Sequence, residues 1–143
     1  MTSGYSGTPL PKKLGIKEDH RLALLSAPAR FTPTLKPLPA GVIVATEPQD
    51  GPFDVILFFT KTREELAGAF SALAKRLVPN GGLWIAWPKR ASGVSTDLTE
   101  DVVRSVGLGV GLVDNKVCAI DETWSGLRFV YRRADRPKKK TAR

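Results

Sequence analysis

The hydrophobic pattern between residues 53 and 88 predicts a strand, a helix and a second strand. Residues 55–59 are continuously apolar, as are residues 83–87. Short unbroken apolar runs are typical of strands that are buried on both faces of a parallel sheet. Two parallel strands need a crossover connection, so this stretch favours a βαβ unit over a hairpin. Trp84 and Trp87 fall on opposite faces of the second strand, and we expect both in the core.

The crossover between these strands has the pattern of an amphipathic helix. Thr62 and Glu65 have the spacing of a capping box, in which each side chain satisfies a backbone amide of the other residue. Apolar residues then recur at intervals of three and four, which places them on one side: Leu66, Ala69, Phe70, Leu73, Ala74 and Leu77. Pro79 is expected to stop the helix, and residues 80–82 (Asn-Gly-Gly) to form the exit turn.

Two shorter apolar runs lie upstream: residues 22–25 predict a buried first strand, and residues 41–46 predict a second strand. Four prolines between residues 28 and 39 leave room for a short, proline-started helix at most. Residues 1–13 are rich in Gly, Ser, Thr and Pro and are expected to form an irregular N-terminal arm.

Downstream, Asp97 and Glu100 give a second helix-start signature, and Gly107 is expected to end that helix. Residues 108–112 are then a connector, and residues 113–120 and 127–131 are expected to form a hairpin. The chain is therefore predicted to be a single α/β domain over residues 14–133, with three layers, a Rossmann-like, mostly parallel sheet and a C-terminal antiparallel hairpin.

The positive charge of the chain is concentrated at its C-terminus. From residue 132 onward, seven basic residues and one acid contribute +6 of the net charge of +8. The folded part is thus nearly neutral, and residues 134–143 are expected to be a disordered basic tail. Such a tail is typically solubilising, and the alternative is a weak, nonspecific nucleic-acid contact through residues 136–143.

Composition also limits the chemistry that the chain can carry. It has one cysteine (Cys118) and one histidine (His20), which excludes an internal disulfide and any multi-histidine metal site and fits a cytoplasmic protein. No apolar run reaches the length of about 20 residues that a membrane span needs. Cys118 lies in a strand pattern far from His20, so we expect a buried, inert thiol and no metal cofactor.

The order of elements resembles the class I methyltransferase fold in a shortened form. The resemblance rests on Gly15-Ile-Lys before the first strand, Phe53-Asp-Val opening the third, residues 77–84 (Leu-Val-Pro-Asn-Gly-Gly-Leu-Trp) and the final hairpin. It implies an S-adenosylmethionine site on a glycine-rich turn after the first strand. Here that turn, residues 26–30, reads Ser-Ala-Pro-Ala-Arg, so we expect no such cofactor; Glu47, the one candidate for a ribose ligand, is interpreted as a surface residue.

The sequence also resembles a bacterial family known as domain of unknown function 3052. The similar stretches cover residues 5–10, 87–89, 92–94, 96–99, 111–118 and 124–129. This resemblance spans nearly the whole chain, and it implies no particular activity.

A candidate site follows from the general rule that open α/β sheets bind ligands beyond the carboxyl ends of their strands. Seven residues with polar side chains, a glycine backbone or an aromatic ring are expected at that edge: Lys89, Arg90, Ser92, Gly93, Asp121, Glu122 and Trp124. Lys89 and the Gly93 backbone could meet a small anion, and Trp124 could stack on a base or sugar. The alternative is that Lys89 or Arg90 pairs with Asp121 or Glu122 and ties the loop to the hairpin.

Three functional hypotheses remain open from the sequence. The first is a non-catalytic, methyltransferase-like domain that acts as a binding or interaction module for a protein or small molecule. The second is a small-ligand binder or enzyme whose site includes Lys89, Ser92, Asp121 and Trp124. The third is a weak nucleic-acid binder that acts through the basic tail.

Overall fold

A computed structural model describes residues 7–135 and contains a single six-stranded sheet within that range. The strands are β1 (Arg21–Leu25), β2 (Ile43–Ala45), β3 (Phe53–Phe59), β4 (Leu77–Pro88), β5 (Leu112–Ala119) and β6 (Trp124–Tyr131). Their order across the sheet is β2-β1-β3-β4-β6-β5. The first four are parallel, and β6 runs antiparallel to both β4 and β5. The predicted α/β class, the βαβ unit and the C-terminal hairpin are confirmed.

Two helices cover one face of the sheet, and a short N-terminal helix together with the segment after β1 covers the other. The helices are α1 (Leu10–Lys13), α2 (Arg63–Ala74) and α3 (Glu100–Val110), with single 3-10 turns at Thr32–Leu35, Pro48–Asp50, Arg90–Ser92 and Arg133–Asp135. Apolar residues of α2 and α3 form one buried cluster with one face of the sheet, and α1 with the 3-10 turn after β1 forms the second cluster on the opposite face. Trp84 belongs to the second cluster and Trp87 to the first, so each lies buried on its own face, as predicted.

The start of α2 confirms half of the predicted capping box. The Thr62 hydroxyl accepts a hydrogen bond from the Glu65 amide at 3.1 Å. The Glu65 carboxylate does not complete the box, because it instead accepts a 2.6 Å hydrogen bond from the buried hydroxyl of Thr60. The carboxylate therefore satisfies a polar group at the end of β3 that would otherwise be buried without a partner.

The predicted exit turn at residues 80–82 is wrong. The helix ends at Ala74, and β4 already begins at Leu77, which pairs with Phe53. The next paired residues are Val55 and Gly82, so the extra residues of β4 form a bulge. A Cβ at Gly81 would lie 2.8 Å from the Asp54 carbonyl oxygen, which explains the glycine at this bulge.

The predicted limits of α3 are also wrong at both ends. The N-cap is Thr99, whose hydroxyl accepts from the Val102 amide at 3.2 Å. Asp97 serves a different helix: its carboxylate accepts the Arg63 amide at the start of α2 at 2.8 Å. Gly107 lies inside α3, which continues to Val110 and ends at Gly111 with a left-handed φ of 106°.

The N-terminal stretch that was expected to be irregular contains α1, which packs into the core. Leu10, Leu14 and Ile16 are buried, and the Trp84 indole donates a 3.0 Å hydrogen bond to the Leu14 carbonyl oxygen. This bond ties the segment to the centre of the sheet. The proposed tail contact at residues 136–143 lies outside the described residues, and the division into arm, domain and tail stays a prediction.

Candidate functional site

Four chain segments meet at the carboxyl edge of the sheet, as expected. β1 and β3 are neighbours, with Leu22 paired to Val55 and Leu25 to Phe58. β5 is parallel to β4, because both run antiparallel to β6. The segments after β1, β3, β4 and β5 therefore all leave the sheet on this side, where open α/β sheets bind ligands.

The turn between β5 and β6 is organised by Asp121. Its carboxylate accepts hydrogen bonds from the Thr123 and Trp124 amides, both at 2.8 Å. Two amide donors thus occupy the same carboxylate oxygen, and the side chain closes the turn. Glu122 is exposed at the tip of this turn. Asp121 therefore has a local structural role in the hairpin.

Trp124 is part of an aromatic cluster that fills one face of the carboxyl edge. Its side chain is 8% exposed, and its ring meets the Phe59 ring edge to face at a centroid distance of 5.0 Å. Phe31, from the segment after β1, contacts the other side of Phe59 at 4.8 Å. We call Phe31, Phe59 and Trp124 the aromatic cluster. Its rings lie beside the carboxyl ends of β1, β3 and β4.

The loop after β4 is held by local hydrogen bonds. The Ser92 hydroxyl donates to the Lys89 carbonyl oxygen at 2.7 Å and accepts from the Val94 amide at 3.1 Å. Gly93 has a left-handed φ of 78°, which permits this tight turn. The Lys89 amide donates to the Thr123 carbonyl oxygen at 2.8 Å, so the loop is joined to the hairpin through the backbone.

The alternative of an ion pair between this loop and the hairpin is not observed. Within residues 7–135, neither Lys89 nor Arg90 forms a salt bridge with Asp121 or Glu122. The backbone bond described above makes that connection instead. Both cationic side chains therefore stay available to another partner.

A crevice of about 650 Å³ opens next to this loop, and we call it the carboxyl-edge crevice. Of the seven predicted residues, Lys89, Arg90 and Gly93 line it, whereas Ser92 and the hairpin residues Asp121, Glu122 and Trp124 do not. Three of the seven predicted residues therefore line the crevice, and the other four lie outside its lining.

Sequence reasoning missed the residues that complete this crevice, among them Thr96, Asp97 and Ser125. The Thr96 hydroxyl donates to the Lys61 carbonyl oxygen at 2.6 Å, which holds the loop against the start of α2. Ser125 lies opposite Trp87 in the β4–β6 pairing. No local sequence signal reports such contacts, because they join segments that are far apart along the chain.

Three further features are the reactivity of the cysteine, the grouping of side chains that could bind a metal, and the length of the helices. Cys118 is partly buried, and burial raises the pKa of its thiol, as expected for an unreactive side chain. In residues 7–135, no three His, Cys, Asp or Glu side chains are grouped so that they could hold a metal ion. None of the described helices has the length and apolar character to cross a membrane.

Comparisons with known proteins give a fold but no family. No protein-family model matches the sequence, and no curated protein matches it either. The resemblance to the domain of unknown function 3052 family is therefore not confirmed.

Solved structures that are similar to this chain are class I methyltransferases. A SAM-dependent methyltransferase from Aquifex aeolicus has a TM-score of 0.59 and 15% identity over 84% of this chain and 86% of its own. For a candidate type 11 methyltransferase from Sulfolobus solfataricus the TM-score is 0.62 and the identity 14%, over 90% and 93% of the two chains. Fibrillarin from Aeropyrum pernix, solved with natively bound S-adenosyl-L-methionine, has a TM-score of 0.54 and 15% identity, over 90% and 71%. At such identities the likeness shows the fold alone, and this fold is methyltransferase-like.

Proposed function

We propose that the protein is a binding module built on a methyltransferase-like fold, and that it does not use S-adenosylmethionine. The observation that carries this proposal is the aromatic cluster. Phe31 is 3% exposed and Phe59 is 2% exposed, and their rings occupy space beside the ends of β1 and β3. In a Rossmann-like sheet a nucleotide cofactor lies at that edge.

Two residues of the segment after β1 cannot give such a cofactor a backbone donor. Cofactors of this kind are held by close approach of free backbone amides, usually at glycines. Pro28 has no amide hydrogen, and the Phe31 amide is already bonded to the Pro28 carbonyl oxygen at 3.1 Å. Ala27 is itself packed against the buried cluster on this face. Pro28 and Phe31 therefore offer no free amide to the cofactor.

Glu47 is the acidic residue that could bind the ribose of the cofactor, but its position does not favour that role. Glu47 follows β2, and it is exposed. Neither Glu47 nor any of residues 26–31 lines the carboxyl-edge crevice. The exposure of Glu47 supports a surface role.

Calorimetry with S-adenosylmethionine and S-adenosylhomocysteine tests this proposal. We expect no saturable heat with either compound and no transfer of a labelled methyl group to any acceptor offered. The Aquifex aeolicus methyltransferase serves as the positive control for the reagents. Saturable binding in the micromolar range, or turnover, would contradict the proposal.

A second candidate function is the binding of a small anionic ligand in the carboxyl-edge crevice. The supporting observation is that Lys89 and Arg90 line the crevice without a carboxylate partner among the described residues. Crevices of roughly 300–1,000 Å³ hold small molecules in proteins. Asp97 and Glu100 also line the crevice, but their carboxylates are engaged by the Arg63 amide and the Arg104 guanidinium. The ligand would be recognised by the two cationic side chains and the Gly93 backbone.

A thermal-shift screen of metabolites tests the second candidate, because a ligand that binds only the native state raises the melting temperature. We expect Lys89→Ala to reduce the shift that a hit produces. Lys61→Ala is the matched control, since Lys61 is exposed and does not line the crevice. An equal reduction in both variants, or a screen without hits, counts against this candidate.

A further inference from the structure

A second crevice, of about 600 Å³, lies at the amino edge of the parallel strands, and we call it the amino-edge crevice. It is bordered by the stretch that follows α1 and by residues near the starts of β1, β3 and β4, including His20, Asp54 and Gly81. The carboxyl-edge crevice and the aromatic cluster are at the other end of the sheet. This crevice is therefore a separate site.

The amino-edge crevice is strongly cationic. Five positively charged side chains and one carboxylate line it: Lys12, Lys13, Lys17, Lys116, Arg128 and Asp54. Lys13 is engaged by the Ala119 carbonyl oxygen at 3.0 Å. The other four cations form no ion pair within residues 7–135. Residues 1–6 and 136–143 contain no Asp or Glu that could neutralise them.

Arg128 is the feature that distinguishes this crevice from an ordinary basic surface. It lies opposite Trp84 in β4 and Lys116 in β5, and such register partners share a face of the sheet. Its guanidinium is held over Gly82, where any Cβ would overlap it. A glycine at this position therefore makes room for the guanidinium inside the crevice.

The Arg128 guanidinium is partly buried, and burial lowers its pKa. Its one hydrogen bond to a described residue is a long contact of 3.4 Å to the Asn115 side-chain oxygen. Burying a charge without a counter-ion is unfavourable, and a bound anion with two oxygens would relieve it through paired hydrogen bonds. The planar guanidinium is well suited to phosphate.

The remaining lining indicates the size and kind of anion. Asn80, Asn115 and the backbone of Gly15 add polar groups, and no Phe, Tyr or Trp ring lines the crevice to stack on a base. The carboxylate of Asp54 lies 3.9 Å from His20 Nε2 and would repel a phosphate placed beside it. This end of the crevice suits hydroxyl groups, and the end formed by Arg128 and Lys116 suits phosphate.

We propose that the amino-edge crevice binds a compact, multiply phosphorylated small molecule without a nucleobase. The ligand places its phosphates against Arg128, Lys116 and the lysines around α1. Inorganic polyphosphate and a phosphorylated sugar share this chemistry. The site is independent of the proposed function, because it uses none of the residues of the aromatic cluster.

The test is calorimetric titration of the full chain with inorganic tripolyphosphate. We expect saturable binding of one molecule per chain. The double variant Arg128→Gln/Lys116→Gln should bind about tenfold more weakly, because it removes two charge-assisted contacts. Arg136→Gln/Lys138→Gln removes the same two residue types from the C-terminal end and should change the affinity less than about twofold.

Two outcomes would overturn the proposal: no saturable binding, or equal weakening in both double variants, which indicates attraction by net charge alone. Lys116 is exposed, so Lys116→Gln by itself keeps the test valid if the double variant unfolds, and it should weaken binding about threefold.

A sugar bisphosphate that binds more tightly than tripolyphosphate identifies a phosphorylated sugar, and the reverse order identifies inorganic polyphosphate. Either order supports phosphate recognition.

Discussion

Gly107 in α3 lies directly against the ring of Phe129 in β6, so close that any Cβ at residue 107 would overlap the ring. Phe129 is fully buried, and it meets Phe70 of α2 edge to face at a centroid distance of 5.1 Å. The ring is thus fixed from both sides. The close packing of α3 on the sheet depends on the missing side chain at residue 107.

We expect Gly107→Ala to destabilise the protein by about 1–3 kcal/mol, because overpacking a fixed ring outweighs the higher helix propensity of alanine. Guanidinium unfolding measures this. Gly109→Ala is the matched control, since Gly109 lies in the same helix with nothing near its Cβ position. It should stabilise the protein by about 0.5–1 kcal/mol. Two changes of the same sign would contradict this account of Gly107.

Asp97 provides a second test, because its carboxylate accepts the first amide of α2 from a loop 34 residues away. Asp97→Ala should lower the free energy of unfolding by about 1 kcal/mol, as the loss of a helix cap does. Glu122→Ala is the control, since Glu122 is exposed in the hairpin turn, and its effect should stay within about 0.5 kcal/mol. Equal effects would mean that the Asp97 contact adds no stability.

Tyr131 links β6 to the end of α2, because its hydroxyl donates a 2.6 Å hydrogen bond to the Ala74 carbonyl oxygen. At neutral pH, Tyr131→Phe should therefore lower the free energy of unfolding by about 1 kcal/mol.

The same contact predicts a pH dependence. Burial raises the pKa of Tyr131 above its usual value of 10.0. The stabilisation is therefore complete below the unfolded-state pKa and is lost as the pH rises through the folded-state pKa. Wild type should lose stability more steeply above about pH 10 than Tyr131→Phe does. Parallel pH profiles of the two proteins would contradict this.

Cys118 should react slowly with thiol reagents at mildly alkaline pH. Burial raises the pKa of its thiol, so less of the reactive thiolate is present than for a free cysteine. The rate of modification in native protein should be at least about tenfold below that in guanidinium, where the thiol is exposed. Similar rates would show that the thiol is accessible.

Local sequence patterns were sufficient for the elements that carry their own signals. The apolar run at residues 55–59 lies in a strand, Phe53–Phe59, and Thr62 caps α2 as its spacing indicates. A capping hydroxyl and its amide lie three residues apart, and an apolar run records the burial of its own segment. The chain encodes such features within a few residues.

Glycine and proline are less specific signals of local structure, because they occur in a sequence for more than one reason. The local pattern predicts that Gly107 ends a helix and that residues 80–82 form a turn. Gly107 instead permits contact with Phe129, and Gly81 permits contact with the backbone of Asp54. Each glycine is needed because a residue from another part of the chain packs against it. The local pattern contains no information about that residue.

Local residue patterns are enough to predict a buried parallel sheet, its crossover helix and the lack of a glycine-rich turn after β1. Which side chains fill that edge, and where unpaired charges lie, depends on contacts between distant segments. Phe31 meets Phe59, and Arg128 is held over Gly82, through packing between segments separated by 28 and 46 residues. Burial and hydrogen bonding within a segment follow from its own residues, whereas a site made of distant segments exists only once the sheet order has brought them together.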